Sequence, residues 1–517
     1  MVRSVRQEAA VQGSGRSSRW AAWGRAAGTA LVLALASACG GAYEARFSTP
    51  TCSEGEVLEG VRFLRFRVTG PELAPVERYV PVAEGAAGAP EVPAGGRRVL
   101  EVRGYTELPG MGGRVVALGR SRPFEVAVGQ GRTVVPVALR RVGAFQRAGT
   151  GKGAEACAVL ADPRAAHTAT LLGDGRVMLA GGFQVDLNGE VTTLGSVEIF
   201  DPVTGTLEPG PELMGPRAFH TATPLPGGKV LLAGGERESG EGAQALSEAL
   251  VLEVARGTYA QLEMRAARSR HAAAADAWGR VLLVGGVGPG GTVVSEAEGF
   301  DSETGAVFAV PSPVARVGMG VAALPGGRQL AVVGGSDGTE LRPEVLVFTY
   351  EGGTFVPVSS SARLREPRRG AALVPFGVGG RLLAMGGIAS PGISDMTPLL
   401  ASSEVVSQEG VTEGPQVAAR SELCAVALPD GRVLTAGGVR ADVSGGVSDA
   451  RAELLVPGRE GRAHAVFGLK PLGRARYLHT CTTLPDGAVL IAGGRDLEGQ
   501  GGATLGDVMV FMPPPVD

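Results

Sequence analysis

The 517-residue sequence lacks a strong charge of either sign, and after its N-terminal region it lacks long apolar runs. The net charge is −3 at pH 7, so no basic excess indicates nucleic-acid binding and no acidic tract predicts a solvating tail. Only 5% of the residues are aromatic and only 5 are cysteines, which are far apart and lack the spacing of metal ligands. No apolar segment of the expected mature chain reaches the roughly 18 residues of a membrane-spanning helix.

Glycine and proline are abundant instead, with 82 and 34 residues. The chain is nevertheless 44% hydrophobic with a mean hydropathy of +0.15, which argues against disorder. Frequent Gly and Pro argue against one large helical domain, and Gly does not recur at every third position as in collagen. The composition therefore predicts a turn-rich, mostly β protein of two or three domains.

The N-terminal region has the pattern of an export signal. The first 25 residues carry five arginines against one acid, and a short apolar run follows. This run ends in Leu-Ala-Ser-Ala-Cys at Cys39, which resembles a bacterial lipobox, although Ala36 stands where Leu is usual. The resemblance implies lipidation of Cys39, and an ordinary signal peptide is the alternative. We expect a signal at 1–38, a tether at 39–52 and attachment to the outer membrane or cell surface through the lipid alone.

A Gly-Gly pair after an apolar run recurs at intervals of 49 to 56 residues. Each copy begins with an Arg and a small-residue strand, and a tight turn leads to the apolar strand that ends in Gly-Gly. A variable loop, a third strand opened by an acid and a fourth strand complete the copy. The first glycines of the seven pairs are Gly181, Gly234, Gly285, Gly334, Gly386, Gly437 and Gly493.

Seven copies at a period of roughly 50 residues resemble the kelch repeat. The resemblance implies an all-β fold, a seven-bladed kelch-type β-propeller over 155–517 with four strands in each blade. It departs from the kelch pattern in lacking the usual Trp of the fourth strand. The last copy has no fourth strand of its own, so we expect 155–161 to supply it and close the ring.

The segment 53–148 lacks the repeat and alternates apolar and polar residues between turns, which predicts a small β-sandwich before the propeller. Residues 92–102 resemble the turn and strand of a transthyretin-like or carboxypeptidase-regulatory-like domain. The glycine-containing stretch 143–153 is interpreted as a linker. Outside the lipobox the cysteines are Cys52, Cys157, Cys424 and Cys481, for which buried free thiols are favoured over disulfides.

The arginine that opens each copy is the one candidate binding feature. The column consists of Arg164, Arg217, Arg268, Arg316, Arg369, Arg420 and Arg476. A ring of guanidinium groups at a channel mouth could hold ligand carboxylates by forked hydrogen bonds. The favoured alternative is structural pairing with the acids of the third strands, which are Glu198, Glu248, Glu296, Glu344, Glu404, Glu453 and Asp507.

Four of the five histidines occupy one repeat position, 14 residues before Gly-Gly. A propeller spreads His167, His220, His271 and His479 around a ring, so each is expected to be structural, and no metal or cofactor is predicted. Galactose oxidase has a kelch propeller too, but its copper-radical site needs two Tyr, two His and a Cys joined to one Tyr. The repeats contain only three Tyr and no evident match, although Tyr477, His479 and Cys481 share one strand face.

No Walker motif, GxSxG, HExxH or Asp-box pattern is present, so the sequence favours a non-enzymatic protein. We expect a monomeric, lipid-anchored envelope protein that binds a protein or glycan through propeller loops or the channel mouth. One alternative is a secreted carbohydrate-active enzyme, an oxidase or a lyase, with residues not recognisable from motifs. The other is a structural envelope component without a ligand. A cluster of unlike polar residues at the channel mouth would favour the enzyme.

Overall fold

The computed structural model describes two compact units, which comprise 1–48 with 54–139, and 49–53 with 140–517. The described residues are 31–33, 43–52, 56–82, 90–127, 133–151, 153–186, 188–239, 242–377, 379–392, 394–442, 445–458, 464–497 and 502–516. Cys39 and all of the expected signal except 31–33 lie outside them, so lipidation stays a prediction. Within these ranges, no helical segment has the length and apolarity to cross a bilayer.

The first unit is a small β-sandwich. Its strands are β1 (Leu31–Leu33), β2 (Tyr43–Ser48), β3 (Phe63–Gly70), β4 (Leu73–Pro81), β5 (Gly95–Tyr105), β6 (Val115–Arg120), β7 (Phe124–Val126) and β8 (Thr133–Ala138), with a 3-10 turn at Pro109–Met111. One sheet has the order β4-β3-β5-β6 with β7 on β5, and the other has the order β1-β2-β8. The segment 39–52, which was expected to be a tether, contains β2 instead. Tyr43, Ala45 and Phe47 of this strand lie in the core of the sandwich.

The second unit contains seven four-stranded antiparallel sheets, numbered here as blades one to seven. From inner to outer strand they are β11 (Thr168–Leu171), β12 (Val177–Ala180), β15 (Val197–Asp201), β16 (Thr206–Pro209); β17 (Thr221–Leu225), β18 (Lys229–Ala233), β21 (Glu248–Glu253), β22 (Thr258–Glu263); β23 (Ala272–Ala275), β24 (Arg280–Val284), β25 (Ala297–Asp301), β26 (Val307–Val310); β27 (Val317–Ala323), β28 (Gln329–Ser336), β29 (Leu346–Glu351), β30 (Thr354–Val358); β31 (Ala372–Phe376), β32 (Arg381–Met385), β33 (Ser403–Ser407), β34 (Gly410–Glu413); β35 (Cys424–Ala427), β36 (Val433–Ala436), β39 (Ala452–Val456), β40 (Ala465–Gly468); and β41 (Thr480–Thr483), β42 (Val489–Ala492), β43 (Val508–Phe511), β10 (Phe145–Arg147).

Shorter elements lie between these strands. They are β9 (Arg140–Arg141), the hairpins β13 (Phe183–Val185) with β14 (Val191–Thr193), β19 (Glu236–Ser239) with β20 (Gly242–Ala245) and β37 (Val439–Asp442) with β38 (Gly445–Ser448), and 3-10 turns at Ala154–Ala156, Pro226–Gly228 and Pro289–Gly291. Each hairpin extends the loop after a Gly-Gly pair, as expected for the variable part of the repeat.

The seven inner strands form a closed ring. Each inner strand contacts that of the next blade, and β41 of blade seven contacts β11 of blade one. Apolar second strands such as β12 and β42 are wholly buried between neighbouring blades. A four-stranded blade cannot bury both faces alone, and the ring does so for all seven. The seven-bladed kelch-type propeller predicted from the repeats is therefore confirmed.

The strand that closes the ring differs from the expectation. Phe145–Arg147, within the predicted linker, forms the outer strand of blade seven and pairs antiparallel with β43. The Phe145 ring stacks on Phe511 with 4.7 Å between centroids, so this strand supplies the missing apolar contact. The expected segment, 155–161, begins in the Ala154–Ala156 turn and forms no strand; it contributes isolated bridges from Val159 to Asp507 and from Cys157 to Gly149.

All four cysteines discussed for the mature chain are paired. Cys52 bonds to Cys157 beside the closing strand, and Cys424 bonds to Cys481 between the inner strands of blades six and seven. The reading as free buried thiols is therefore replaced by two disulfides. The sequence could not show this, because the partners are separated by 105 and 57 residues.

Candidate functional site

The arginine column lies inside the blades. Arg164, Arg217, Arg268, Arg368, Arg420 and Arg476 are completely buried, and Arg316 is nearly so. Blade five corrects the sequence-based assignment, because Arg368 occupies the column and Arg369 does not. In blades four and five the arginine precedes Gly-Gly by one residue more than elsewhere. Arg369 instead donates to the backbone carbonyls of Ser390, Gly392 and Asp395.

Every column arginine makes the same contact with its own blade. Its Nη1 donates to the carbonyl of the first Gly of the Gly-Gly pair, at 2.9 Å to 3.2 Å. That glycine has φ between 55° and 70°. A Cβ on Gly181, for example, would strike the Arg217 carbonyl of the next blade. Glycine is therefore required where the strand end meets both its own arginine and its neighbour.

The third-strand acids complete the column. Each arginine pairs with an acid of its blade, namely Glu198, Glu248, Glu298, Glu344, Glu404, Glu453 and Asp507. Blade three differs from the expectation, since Glu298 forms the pair and Glu296 supplies only its backbone carbonyl. Burial lowers the pKa of Arg268, and the Glu298 charge opposes that effect. The geometry thus favours the structural role, because these guanidinium groups are turned away from solvent.

A second ring of residues, two positions after each column arginine, surrounds one end of the channel. These residues all have φ between 50° and 67° and are Ala166, Phe219, Arg270, Gly318, Gly370, Glu422 and Leu478. Backbone hydrogen bonds join four pairs of neighbours in this ring, including Phe219 N–H to Ala166 O at 3.0 Å and Gly370 N–H to Gly318 O at 2.8 Å. We call this ring the channel mouth.

Glu422 is the distinctive group of the channel mouth. Glu422 is exposed at the surface of the mouth, yet desolvation by the surrounding protein raises the pKa of its carboxyl, while the charges of Arg270 and Arg369 act in the opposite direction. Glu422 belongs to blade six, whereas Arg270 belongs to blade three on the opposite side of the ring. Their electrostatic interaction therefore crosses the channel. A Cβ on Gly370 would contact Glu422 Oε1, so glycine leaves room for the carboxyl.

Arg270 is held in a defined orientation towards this space. Its guanidinium carbon lies 3.5 Å from the centroid of the Phe219 ring, and its Nη2 is 3.2 Å from Glu236 Oε1. The Phe219 ring in turn stacks on Phe183 at 5.8 Å. Cation–π contact and the ion pair restrain a side chain that is still partly exposed. The mouth thus combines a carboxyl of raised pKa with a preoriented cation, which is the cluster of unlike polar residues that would favour an enzyme.

Sequence reasoning missed this site because the same repeat position holds Glu422, Arg270 and Phe219 in different blades, and only columns of identical residues had been considered. Columns of identical residues were informative about blade construction. A functional site is indicated instead by a repeat position at which the residue types differ between blades while the backbone is left-handed in all of them. Gly318 and Gly370 at the same position also identify Arg316 and Arg368 as the true column members.

A separate surface cleft of about 800 Å³ lies among the loops of blades five and six. Its lining includes Thr397, Leu399, Asp449 and Arg451. Asp449 and Arg451 form an ion pair of 2.6 Å, so these two charges neutralise each other. The channel mouth is the stronger candidate because its carboxyl, Glu422, is acted on by the charges of two arginines from other blades.

No protein-family model and no curated protein sequence matches the chain. Among solved structures, a fungal alcohol oxidase of the AA5 family in complex with copper is similar, with 16% identity, a TM-score of 0.53, and coverage of 68% of this chain and 75% of that chain. The YjhT structure has 13% identity and a TM-score of 0.45, covering 68% of this chain and 96% of that one.

The likeness to the alcohol oxidase contradicts the expectation of a non-enzymatic protein, because a protein with this fold is an enzyme. The residues described here nevertheless do not fit a copper-radical site. Tyr259 donates to the Pro211 carbonyl and Tyr350 bonds to Asp301, both on outer parts of blades. His167, His220 and His271 are buried and hydrogen-bonded to threonines of neighbouring blades. Two Tyr and two His therefore do not converge at the described channel mouth.

The described part of this chain thus has the propeller fold without a set of side chains that fits a copper-radical site. The ring of seven four-stranded blades and the likeness to the alcohol oxidase agree on the architecture, while the mouth presents a different set of side chains. The chain has the galactose oxidase-like, kelch-type propeller fold.

Proposed function

We propose that this protein is an exported carbohydrate-active enzyme that works by acid–base chemistry, as a polysaccharide lyase, at the channel mouth. The observation that carries the proposal is Glu422, a carboxyl with a raised pKa that interacts with Arg270 across the channel and with Arg369 of the neighbouring blade five. A carboxyl perturbed in this way, in a cleft and near defined charges, is typical of an acid–base catalyst.

The chemistry proposed is β-elimination from a uronate-containing glycan. Arg270 would bind the sugar carboxylate and so make the proton on the adjacent carbon more acidic. Glu422 would remove that proton, the electron pair would form the carbon–carbon double bond, and the bond to the leaving glycosidic oxygen would break. The same carboxyl could then return the proton to that oxygen. The step consumes no oxidant, water or metal ion.

A lyase fits the described side chains better than a hydrolase. Glycoside hydrolysis generally uses two carboxyls that flank the scissile bond. The described ring contains no second carboxyl besides that of Glu422. The nearby Glu236 forms an ion pair with Arg270. The cations beside Glu422 are instead suited to an anionic substrate.

The location is proposed with the activity. The basic and apolar N-terminal segment and the lipobox-like sequence at Cys39 support export and attachment by lipid, which would expose a monomeric propeller to extracellular glycans. Metabolic labelling with a fatty-acid analogue tests this directly. Label should enter the full-length protein and be lost in Cys39→Ala.

The activity is tested with the full mature chain on a panel of uronate-containing polysaccharides. Elimination creates a double bond conjugated to a carboxylate, which is followed by ultraviolet absorbance. We expect activity on at least one member, a loss of about 100-fold or more in Glu422→Gln, and no loss in Glu351→Gln, a matched change at an exposed acid.

Two outcomes would overturn this proposal. One is a Glu422→Gln variant that retains full lyase activity. The other is a protein that is inactive on every uronate polymer but holds one copper ion per chain and oxidises alcohols.

A further inference from the structure

One member of the histidine column has lost its partner. In three of the four cases Nε2 bonds to a threonine hydroxyl on the preceding blade, at 2.9 Å to 3.0 Å. The pairs are His220 with Thr168, His271 with Thr221 and His167 with Thr480. His479 makes no such bond, and neither of its ring nitrogens has a hydrogen bond of good geometry although the side chain is only 8% exposed. A buried ring with two unsatisfied nitrogens requires an explanation.

The missing partner is explained by Cys424. Each threonine in the three regular pairs lies four residues after its column arginine, and Cys424 occupies that position after Arg420. Cys481, two residues after His479, comes from the next inner strand and bonds to Cys424 in the oxidised protein. Two sulfurs have therefore replaced the hydroxyl that the other histidines use.

The three side chains are arranged as a ligand set. The sulfur atoms of Cys424 and Cys481 and a ring nitrogen of His479 all lie within 4.8 Å of one another. A tetrahedral zinc ion with bonds of about 2.0 Å to 2.3 Å separates its ligand atoms by about 3.3 Å to 3.8 Å. Small side-chain rotations are sufficient to reach that geometry once the sulfurs are not bonded to each other.

The surroundings suit a neutral imidazole and two thiolates. His479 is buried, and a neutral imidazole at this place would present a ring-nitrogen lone pair to a metal ion. Two thiolates balance the charge of one divalent cation.

We propose that, in the reduced protein, Cys424, Cys481 and His479 bind one zinc ion between blades six and seven. This site does not depend on the activity proposed for the channel mouth. A set of two sulfurs and one imidazole is characteristic of zinc, and three protein ligands leave one coordination position for water.

The site is present only while the two cysteines are reduced. Zinc binding releases two protons from the thiols. A small-molecule disulfide then removes two electrons from the thiolates, which yields the Cys424–Cys481 bond, free zinc and two small-molecule thiolates. The protein would thus exchange a metal link between the two inner strands for a covalent one, according to the thiol–disulfide balance of its compartment.

The test uses the full mature chain, reduced with a metal-free phosphine under argon and titrated with zinc against a chromophoric chelator. One zinc per reduced chain is expected, and none in the oxidised chain. Cobalt in place of zinc should give thiolate-to-metal charge-transfer absorption. Cys424→Thr, which supplies the hydroxyl of the regular pairs, should fold and abolish binding. His479→Gln should weaken binding by about 10- to 100-fold.

Matched controls separate this site from nonspecific thiol binding. The double variant Cys52→Ser, Cys157→Ser removes the other disulfide. Its cysteines do not form a ligand cluster with a histidine among the described residues, so zinc binding should be unchanged. His271→Gln alters a histidine that has its threonine and should also retain zinc. A reduced wild-type chain that binds no zinc, or a Cys424→Thr chain that still binds it, would overturn the proposal.

Discussion

Arg268 and Glu298 form an ion pair of 2.6 Å in which both side chains are completely shielded from solvent. Arg268 also donates to the Gly285 carbonyl at 3.0 Å, and Glu298 accepts the backbone N–H of Arg265 at 2.7 Å. The pair therefore ties the start of the inner strand, the end of the second strand and the middle of the third into one blade. Removal of either partner leaves a buried charge without compensation.

Arg268→Ala is expected to destabilise the propeller by about 3 to 5 kcal/mol. The measurement is the free energy of unfolding in urea. Arg256→Ala is the control, because Arg256 is 73% exposed and its pair with Glu253 is a surface pair worth about 0 to 1 kcal/mol. Equal losses in the two variants would contradict the structural role of the column.

Glu422→Gln is expected to make the protein more stable at neutral pH. Since the folded protein raises the pKa of this carboxyl, the wild-type chain loses stability as the pH rises from the ordinary carboxyl range to the raised value, and the Gln variant does not. Melting temperatures of both proteins across pH 4 to 8 should diverge as the pH rises. Glu351→Gln, at an exposed position, should follow the wild type. A pH-independent difference would argue against a raised pKa of Glu422.

The histidine column should make the propeller sensitive to acid. Burial, followed by the charge of the neighbouring arginine, lowers the pKa of His220 and His271 to about 3. Between these pKa values the histidines are protonated in the unfolded chain and neutral in the folded chain. The free energy of unfolding therefore falls as the pH drops from 6.5 towards 3. Each histidine contributes up to about 1.4 kcal/mol per pH unit in that window. His220→Gln should show a shallower loss in urea titrations at several pH values, and an unchanged slope would refute this account.

Phe145→Ala is expected to weaken the closing strand. Phe145 is partly buried against Phe511, so the loss should be about 2 kcal/mol, below that of a fully buried Phe. Urea unfolding gives the value, and proteolysis should show earlier cleavage near blade seven. Phe467→Ala, which removes a ring that is 55% exposed, is the matched control and should cost less. Closure by 155–161 alone would predict no difference between the two variants.

The sequence predicted the blades well because their signals are local. A Gly-Gly pair, a turn and an apolar strand occur together within each repeat, so seven copies indicate seven sheets. Arg368 was missed because its spacing to Gly-Gly is one residue longer, and Glu298 was missed because two acids lie in the same strand. Both errors concern side chains of one blade that compete for one position, which spacing alone does not resolve.

The candidate sites were less accessible to sequence reasoning because they depend on different blades. Glu422 and Arg270 are 152 positions apart in the numbering and face each other only because blades three and six lie across the ring. Cys424 faces His479 because a position that holds threonine in other blades holds cysteine in blade six. Neither relationship appears within one repeat.

The sequence by itself determined the all-β class, the number of blades and the residues from which each blade is built, since these follow from periodic patterns within about 50 residues. Only the tertiary structure decided which strand closes the ring, which cysteines pair and which unlike residues meet at the channel mouth. The physical reason is ring closure, which brings together chain segments whose separation in sequence carries no information about their distance in space.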